Sequence, residues 1–178
     1  MKKYLILYRP FLIFLTKFFL TYLFLTLVYQ AYLSSYDVNS VDFITRLVAY
    51  NTEQLLRFFQ VDFLVLDTPK KALILLEYNQ LVVAKMIEGC NSVSVIILFV
   101  SFIVAFSGKL KPTLFYVLGG SIFIYALNVI RIGLLCSALY WLPQHKTILH
   151  DVVFPLFIYG IVFVLWVVWV NKFSLYAK

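Results

Sequence analysis

The chain has 178 residues, of which 63% are hydrophobic and only 13% are charged. Soluble domains are close to half apolar and a quarter charged, so this composition excludes an ordinary soluble protein and indicates an integral membrane protein. The net charge of +7 is spread over the ends of apolar runs, which favours membrane topology over nucleic-acid binding. Two cysteines are too few for a disulfide framework, and neither histidine has a metal-ligand spacing, so no metal or cofactor is predicted.

The first apolar run extends from Phe11 to Leu33 and follows a basic N-terminal segment. It is longer than the hydrophobic region of a signal peptide, about 7–15 residues, and it lacks a small-residue cleavage site. Because about 20 residues suffice to cross a bilayer, residues 11–33 are predicted to form an uncleaved transmembrane span. Lys17 within it is expected to reach the interface or to face a partner helix.

Residues 34–89 form the only extended polar region, and the sequence predicts two kinds of structure there. Apolar residues at helical spacing, with the i, i+4 charge pairs Asp42/Arg46 and Glu53/Arg57, predict an amphipathic helix on the membrane surface or on the helix bundle. Three short runs of strand-forming residues follow and predict a small β-hairpin. The apolar positions of the helix are Val41, Ile44, Val48, Leu55 and Phe59, and the strand-forming runs are 61–67, 72–78 and 80–87.

Three further apolar runs complete an all-α membrane protein of about four transmembrane helices, organised as one domain. All eight acidic residues then lie on the side opposite the termini, so the positive-inside rule places both termini in the cytoplasm of a plasma (inner) membrane and the 34–89 insert outside. Gly119 and Gly120 are expected to permit close helix contact. The three predicted spans are 91–107, 113–140 and 151–170.

Three side chains of different chemistry fall at the predicted outer face of the membrane. Cys90 precedes the second span, His150 opens the fourth, and Arg131 lies about 27 Å along the third at 1.5 Å per residue. A thiol nucleophile, a histidine acid–base and an arginine that holds an oxyanion together outline acyl transfer through a thioester. Asn128, one turn before Arg131, is a supporting residue that orients the guanidinium.

Each of these residues also has an ordinary structural interpretation. A lone cysteine is often a small apolar filler, an arginine near the interface can extend to water, and His150 before Asp151 can simply begin a helix. Cys136 is the rival nucleophile, but the helical repeat places it about 140° from Arg131. His145 is the rival histidine and lies in the predicted loop between the last two spans.

The order of these residues resembles a known family. The segment 88–92 (Glu-Gly-Cys-Asn-Ser), the Asn128-x-x-Arg131 spacing and His150 are similar to the exosortase/archaeosortase family, in the compact form found in Bacteroidetes. The resemblance covers residues 88–169. It implies a multi-pass membrane cysteine protease or transpeptidase whose substrates are membrane-anchored proteins with a C-terminal sorting tail, made of a short motif, a transmembrane helix and a basic end.

The resemblance also implies a role for each site residue. Cys90 would be the nucleophile, Arg131 the oxyanion-stabilising or substrate-orienting residue, and His150 the proton carrier. The family often has Ser-Gly after the cysteine, where this chain has Asn91 and Ser92. Longer members of the family also have additional spans.

A non-enzymatic alternative is an assembly or scaffold subunit of an envelope secretion system. In that case the amphipathic helix and the hairpin would be docking surfaces, and Arg131 would pair with an acidic residue of a partner within the membrane. A transporter is disfavoured because the predicted spans contain no acidic residue other than Asp151 at the mouth of the fourth.

Overall fold

The computed structural model describes residues 8–68, 71–106 and 108–173. The chain is mostly helical, and a small antiparallel sheet follows the second helix. Short 3-10 turns precede the third helix and follow the fourth. The elements are α1 (Arg9–Leu33), α2 (Phe43–Phe58), β1 (Phe63–Asp67), β2 (Ile74–Tyr78), β3 (Leu81–Met86), α3 (Val93–Ala105), α4 (Leu110–Trp141) and α5 (Phe154–Lys172).

Three helical segments are long and apolar enough to cross a membrane. They are α1, α4 and the continuous segment Pro143–Lys172, which contains α5. By contrast, α3 has 13 residues and is therefore about 20 Å long, shorter than a hydrocarbon core of about 30 Å. The expected membrane character agrees with these helices, whereas a fourth span over residues 91–107 stays a prediction.

The first apolar core lies where α3, α4 and α5 meet. Phe99 and Ile103 from α3, Ile124 from α4, and Val162 and Trp169 from α5 are almost fully buried in it. On its outer side α1 packs along α3 through aromatic contacts but contributes no buried residue. The three-helix contact therefore fixes α3 against the long helix α4.

The second apolar core lies between α2, the sheet and the C-terminal half of α4. Val48 and Leu56 of α2 meet Phe63 of β1, Leu76 of β2 and Ile132 of α4 in this cluster. The predicted amphipathic helix is therefore present, and it packs on the bundle. Because α4 contributes to both cores, it connects the membrane helices with the 34–89 insert.

The start of α2 corrects one predicted charge pair. Asp42 is completely buried and caps the helix, since its Oδ1 accepts hydrogen bonds from the backbone N–H groups of Ile44 at 2.9 Å and Thr45 at 3.1 Å. The predicted Asp42/Arg46 pair is wrong because this carboxylate faces the helix end, and Arg46 instead lies 3.9 Å from Asp67. The pair Glu53/Arg57 is confirmed at 2.7 Å.

The predicted hairpin is a three-stranded antiparallel sheet in the order β1-β2-β3. All three strand-forming runs become strands, so the fold is not purely α. The β2–β3 turn uses Asn79 and Gln80, with φ of 47° and 64°, as expected of a two-residue type I′ turn. A bulge shifts the register between Leu76 and Glu77, so Val83 is the extra residue of β3.

His150 does not open the last helix, contrary to the sequence-based prediction. The predicted loop before it is largely helical, and His150 lies within a π-helical turn, Leu149–Val153, of the continuous segment Pro143–Lys172. The backbone N–H of Phe154 donates to the carbonyl of Leu149. The next residue, Pro155, has no N–H and cannot continue a regular ladder of hydrogen bonds.

The adjacent glycines of α4 provide a matched test of this packing. A Cβ at Gly120 would overlap Cζ of the buried Phe99, whereas a Cβ at Gly119 meets nothing within 4 Å. We expect Gly120→Ala to lower the free energy of unfolding by about 1–3 kcal/mol. Gly119→Ala should be neutral or stabilising by up to about 1 kcal/mol, because alanine favours helix.

Unfolding of both variants in detergent micelles measures this difference. Equal stabilities of Gly119→Ala and Gly120→Ala would contradict the close approach of α3 to α4.

Candidate active site

A cleft of about 250 Å³ lies between β3, the C-terminal half of α4 and the start of the segment Pro143–Lys172. Cys90 and His150 both line it, so the structure brings these two predicted site residues to one cavity. Its apolar walls come from β3 and from one face of α4. The other polar side chains along it are Lys85, Cys136 and Lys146.

The segment that carries Cys90 is fixed by the buried amide of Asn91. The Asn91 Nδ2 donates to the Tyr29 hydroxyl at 2.8 Å and to Oγ1 of Thr45 at 3.0 Å. Its Oδ1 accepts the backbone N–H of Val93 at 3.0 Å. The Thr45 hydroxyl in turn donates to the buried Asp42 carboxylate. One side chain therefore joins α1, the N-terminus of α2 and the start of α3.

Asn128 and Arg131 approach Cys90 from α4. The Asn128 Nδ2 donates to the carbonyl oxygen of Cys90 at 2.9 Å. The Arg131 Nη1 donates to Oδ1 of Asn128 at 3.4 Å, so the Asn128 amide links the guanidinium to the backbone of Cys90. The predicted contact between Asn128 and Arg131 is thus present, and Asn128 additionally holds the backbone of Cys90.

Arg131 is linked to Cys90 through Asn128 but does not line the cleft. It is half-buried, and its Nε has no hydrogen-bond partner within the described part of the chain. Cys136 and Arg131 lie on different faces of α4, as the helical repeat predicts. The cleft lies on the face that carries Cys136. His150 and Arg131 therefore approach Cys90 from different directions.

His150 is half-exposed at the rim of the cleft and is paired with its neighbour in sequence. The His150 Nδ1 lies 2.7 Å from Oδ1 of Asp151. A carboxylate at one ring nitrogen orients an imidazole and leaves Nε2 available for proton transfer. In the sequence-based prediction Asp151 is only part of a helix start. A carboxylate directly after a candidate histidine could, however, have indicated a histidine–carboxylate pair. His145, the rival histidine, does not line the cleft.

Two cations of the cleft were not identified from the sequence. Lys85 comes from β3 and Lys146 from the helical turn before His150. Only the packing of the sheet against α4 brings them together, so no local pattern could indicate them. In the described ranges, no three His, Cys, Asp or Glu side chains are grouped so that they could hold a metal ion.

The link between Cys90 and α3 has an unusual backbone. Cys90 ends a 3-10 turn, α3 begins only at Val93, and Ser92 between them has φ of 63°, in the left-handed region. Cys90 therefore precedes the first turn of α3. No family model matches the chain, and no curated protein or solved structure matches it.

Ser92 allows the backbone conformation to be tested separately from the side chain. The Ser92 Oγ is buried and has no partner among the described residues, so both Ser92→Ala and Ser92→Gly remove an unsatisfied hydroxyl. Only glycine also relieves the left-handed strain. We expect Ser92→Gly to exceed Ser92→Ala in stability by about 1–2 kcal/mol.

Chemical unfolding of the two variants in the same detergent measures the difference. Equal stability would show that the turn after Cys90 is not left-handed.

Proposed function

We propose that the protein is a membrane-embedded cysteine transpeptidase or protease of the exosortase type. It would process the C-terminal sorting tail of secreted proteins at the outer face of the plasma (inner) membrane. The observation that carries this proposal is the shared cleft of Cys90 and His150, with Arg131 linked to the Cys90 backbone through Asn128. These residues come from three separate segments, and the same three follow the order of the family that the sequence resembles.

The proposed reaction has two stages, formation of a thioester on Cys90 and cleavage of that thioester. The Cys90 Sγ attacks the scissile carbonyl after giving its proton to His150, and a tetrahedral intermediate with a negative oxygen forms. The positive charge of Arg131 opposes the negative charge that develops on sulfur or oxygen. When the C–N bond breaks, His150 returns the proton to the leaving amine and a thioester remains on Cys90. Attack by water, an amine or a lipid hydroxyl then releases the acyl group and restores the thiol.

The proposed topology places this cleft outside the cytoplasm. The cleft forms against the sheet of the 34–89 insert, and seven of the eight acidic residues lie within residues 34–89. The basic residues near both termini and in the turn before α4 mark the opposite side. A substrate anchored by a C-terminal helix would meet the cleft where its chain leaves the bilayer.

A scaffold subunit remains the alternative proposal, and one feature favours it. Phe58 and Phe59, at the C-terminal end of α2, are 81% and 66% exposed and contact each other edge to face. Such an apolar pair fits a docking contact with an envelope partner. This alternative requires neither the thiol of Cys90 nor the imidazole of His150, so it makes a different prediction for their substitution.

Replacement of the two cysteines one at a time tests the proposed function. Cys90→Ala removes the nucleophile and should reduce substrate processing about 10³-fold or more. Cys136→Ala removes a thiol that is completely buried and should leave processing nearly intact. Both variants are expressed in host cells that lack the gene, and mass spectrometry quantifies membrane proteins that retain a C-terminal apolar segment.

The deletion strain and the Cys90→Ala strain should accumulate the same precursors. Full processing in the Cys90→Ala strain, at wild-type levels of the protein, would contradict the enzymatic proposal and support the scaffold.

A further inference from the structure

The strand β3 is an edge strand. The sheet has the order β1-β2-β3, and β3 pairs with β2 alone. Across residues 8–68, 71–106 and 108–173, no backbone hydrogen bond joins β3 to another segment of the chain. One row of its N–H and C=O groups is therefore available, and such a row is a template for pairing with another extended chain.

The cleft beside Cys90 runs along this free edge. Five consecutive residues of β3, from Val82 to Met86, line it. Past the bulge at Val83, successive side chains point to opposite faces of the sheet, so a cavity over one face alone would meet Ala84 and Met86 but not Lys85 between them. A cavity that meets all three, together with Leu76 of β2 on one face, extends from that face around the edge of the backbone. It continues to Cys90, which follows β3 by one short turn.

The hairpin geometry identifies the backbone groups on the free edge of β3. The N–H of Asn79 donates to the carbonyl of Asp62, on the β1 side, so the backbone N–H and C=O of its neighbour Tyr78 point towards β3. Tyr78 and Leu81 then form the hydrogen-bonded pair next to the turn, and alternation directs the N–H and C=O of Val82 outwards. Past the bulge, Lys85 lies opposite Leu75, so its backbone N–H and C=O also point away from β2.

The charges around the cleft define what it would accept. Lys85 and Lys146 line it, and no acidic side chain lines it in the described part of the chain, since Asp151 contacts His150 from outside the lining. The ε-ammonium groups of the two lysines have no salt-bridge partner among the described residues. A ligand with a carboxylate would complement these charges, while its apolar side chains would meet Ile132 and Leu139 of α4.

We propose that β3 binds an extended, acidic segment of the substrate protein as a fourth strand of the sheet, in line with the Cys90 thiol. This inference rests on the proposed function, because it assigns the substrate of the same site. Backbone pairing supplies affinity that is independent of sequence, and Lys85 and Lys146 select the acidic side chain. The strand would present its next peptide bond to Cys90 in an extended conformation.

The test uses full-length protein with Cys90→Ala, reconstituted in phospholipid nanodiscs, so that thiol chemistry does not contribute. The probe is an acetylated and amidated peptide of alternating valine and glutamate, with one central benzophenone-bearing phenylalanine for photo-cross-linking. Its first control has the same side chains but a methyl group on every backbone amide nitrogen. Its second control has lysine in place of glutamate. Mass spectrometry maps the cross-linked residues.

We expect cross-links to β3, α4 and residues 146–150, with a yield about 10-fold above that of either control peptide, as loss of two or three hydrogen bonds or of the charge attraction predicts. In the same background, Val82→Pro removes one outward N–H and should reduce the yield several-fold, whereas Val82→Ala should retain it. Equal yields for the native and N-methylated peptides, or cross-links elsewhere, would overturn strand addition.

The two control peptides keep the test decisive even if Val82→Pro fails to fold. Because the protein already lacks the nucleophile, loss of docking overturns only this inference. Normal docking together with full processing by Cys90→Ala cells overturns only the proposed function.

Discussion

The buried amide of Asn91 is the interaction on which the position of Cys90 depends. It is 2% exposed and makes three hydrogen bonds, to Tyr29, Thr45 and the backbone of Val93. A buried amide without partners costs several kcal/mol in an apolar environment, about 2–7, so these three elements are held together as one unit. The Asp42 carboxylate, also buried, belongs to the same network and completes it by capping α2.

The site forms where two differently packed parts of the molecule share α4. The N-terminal part of this helix packs with α3 and α5, and its C-terminal part packs with α2 and the sheet. Asn128 lies between these parts and donates to the Cys90 carbonyl, which connects the Asn91 network to the rigid helix. His150 comes from the π-helical turn that follows α4. The Cys90 backbone, held by the buried amides, therefore shares its cleft with a histidine that lies on a more exposed segment.

The sequence predicts the long apolar helices, the amphipathic helix and the three strand-forming runs, because each has a local period or composition. It fails where tertiary contacts decide. Asp42 caps α2 instead of pairing with Arg46, and the helix of His150 begins earlier than its apolar run. Arg131 is predicted at the depth of Cys90 but does not line the cleft, since depth does not fix the direction of a helix face. Lys85 enters the site only through sheet packing.

If Cys90 is a nucleophile activated by its neighbours, as we propose, its rate of alkylation depends on them. Cells expressing the protein with Cys136→Ser are treated at neutral pH with a membrane-impermeant maleimide, and Cys90 labelling is followed over time. We expect labelling from outside that slows about 10-fold when His150→Ala is added. The control His145→Ala should not change the rate. A Cys90 that does not react, or that reacts equally with and without His150, would show that the thiol is not activated by this histidine.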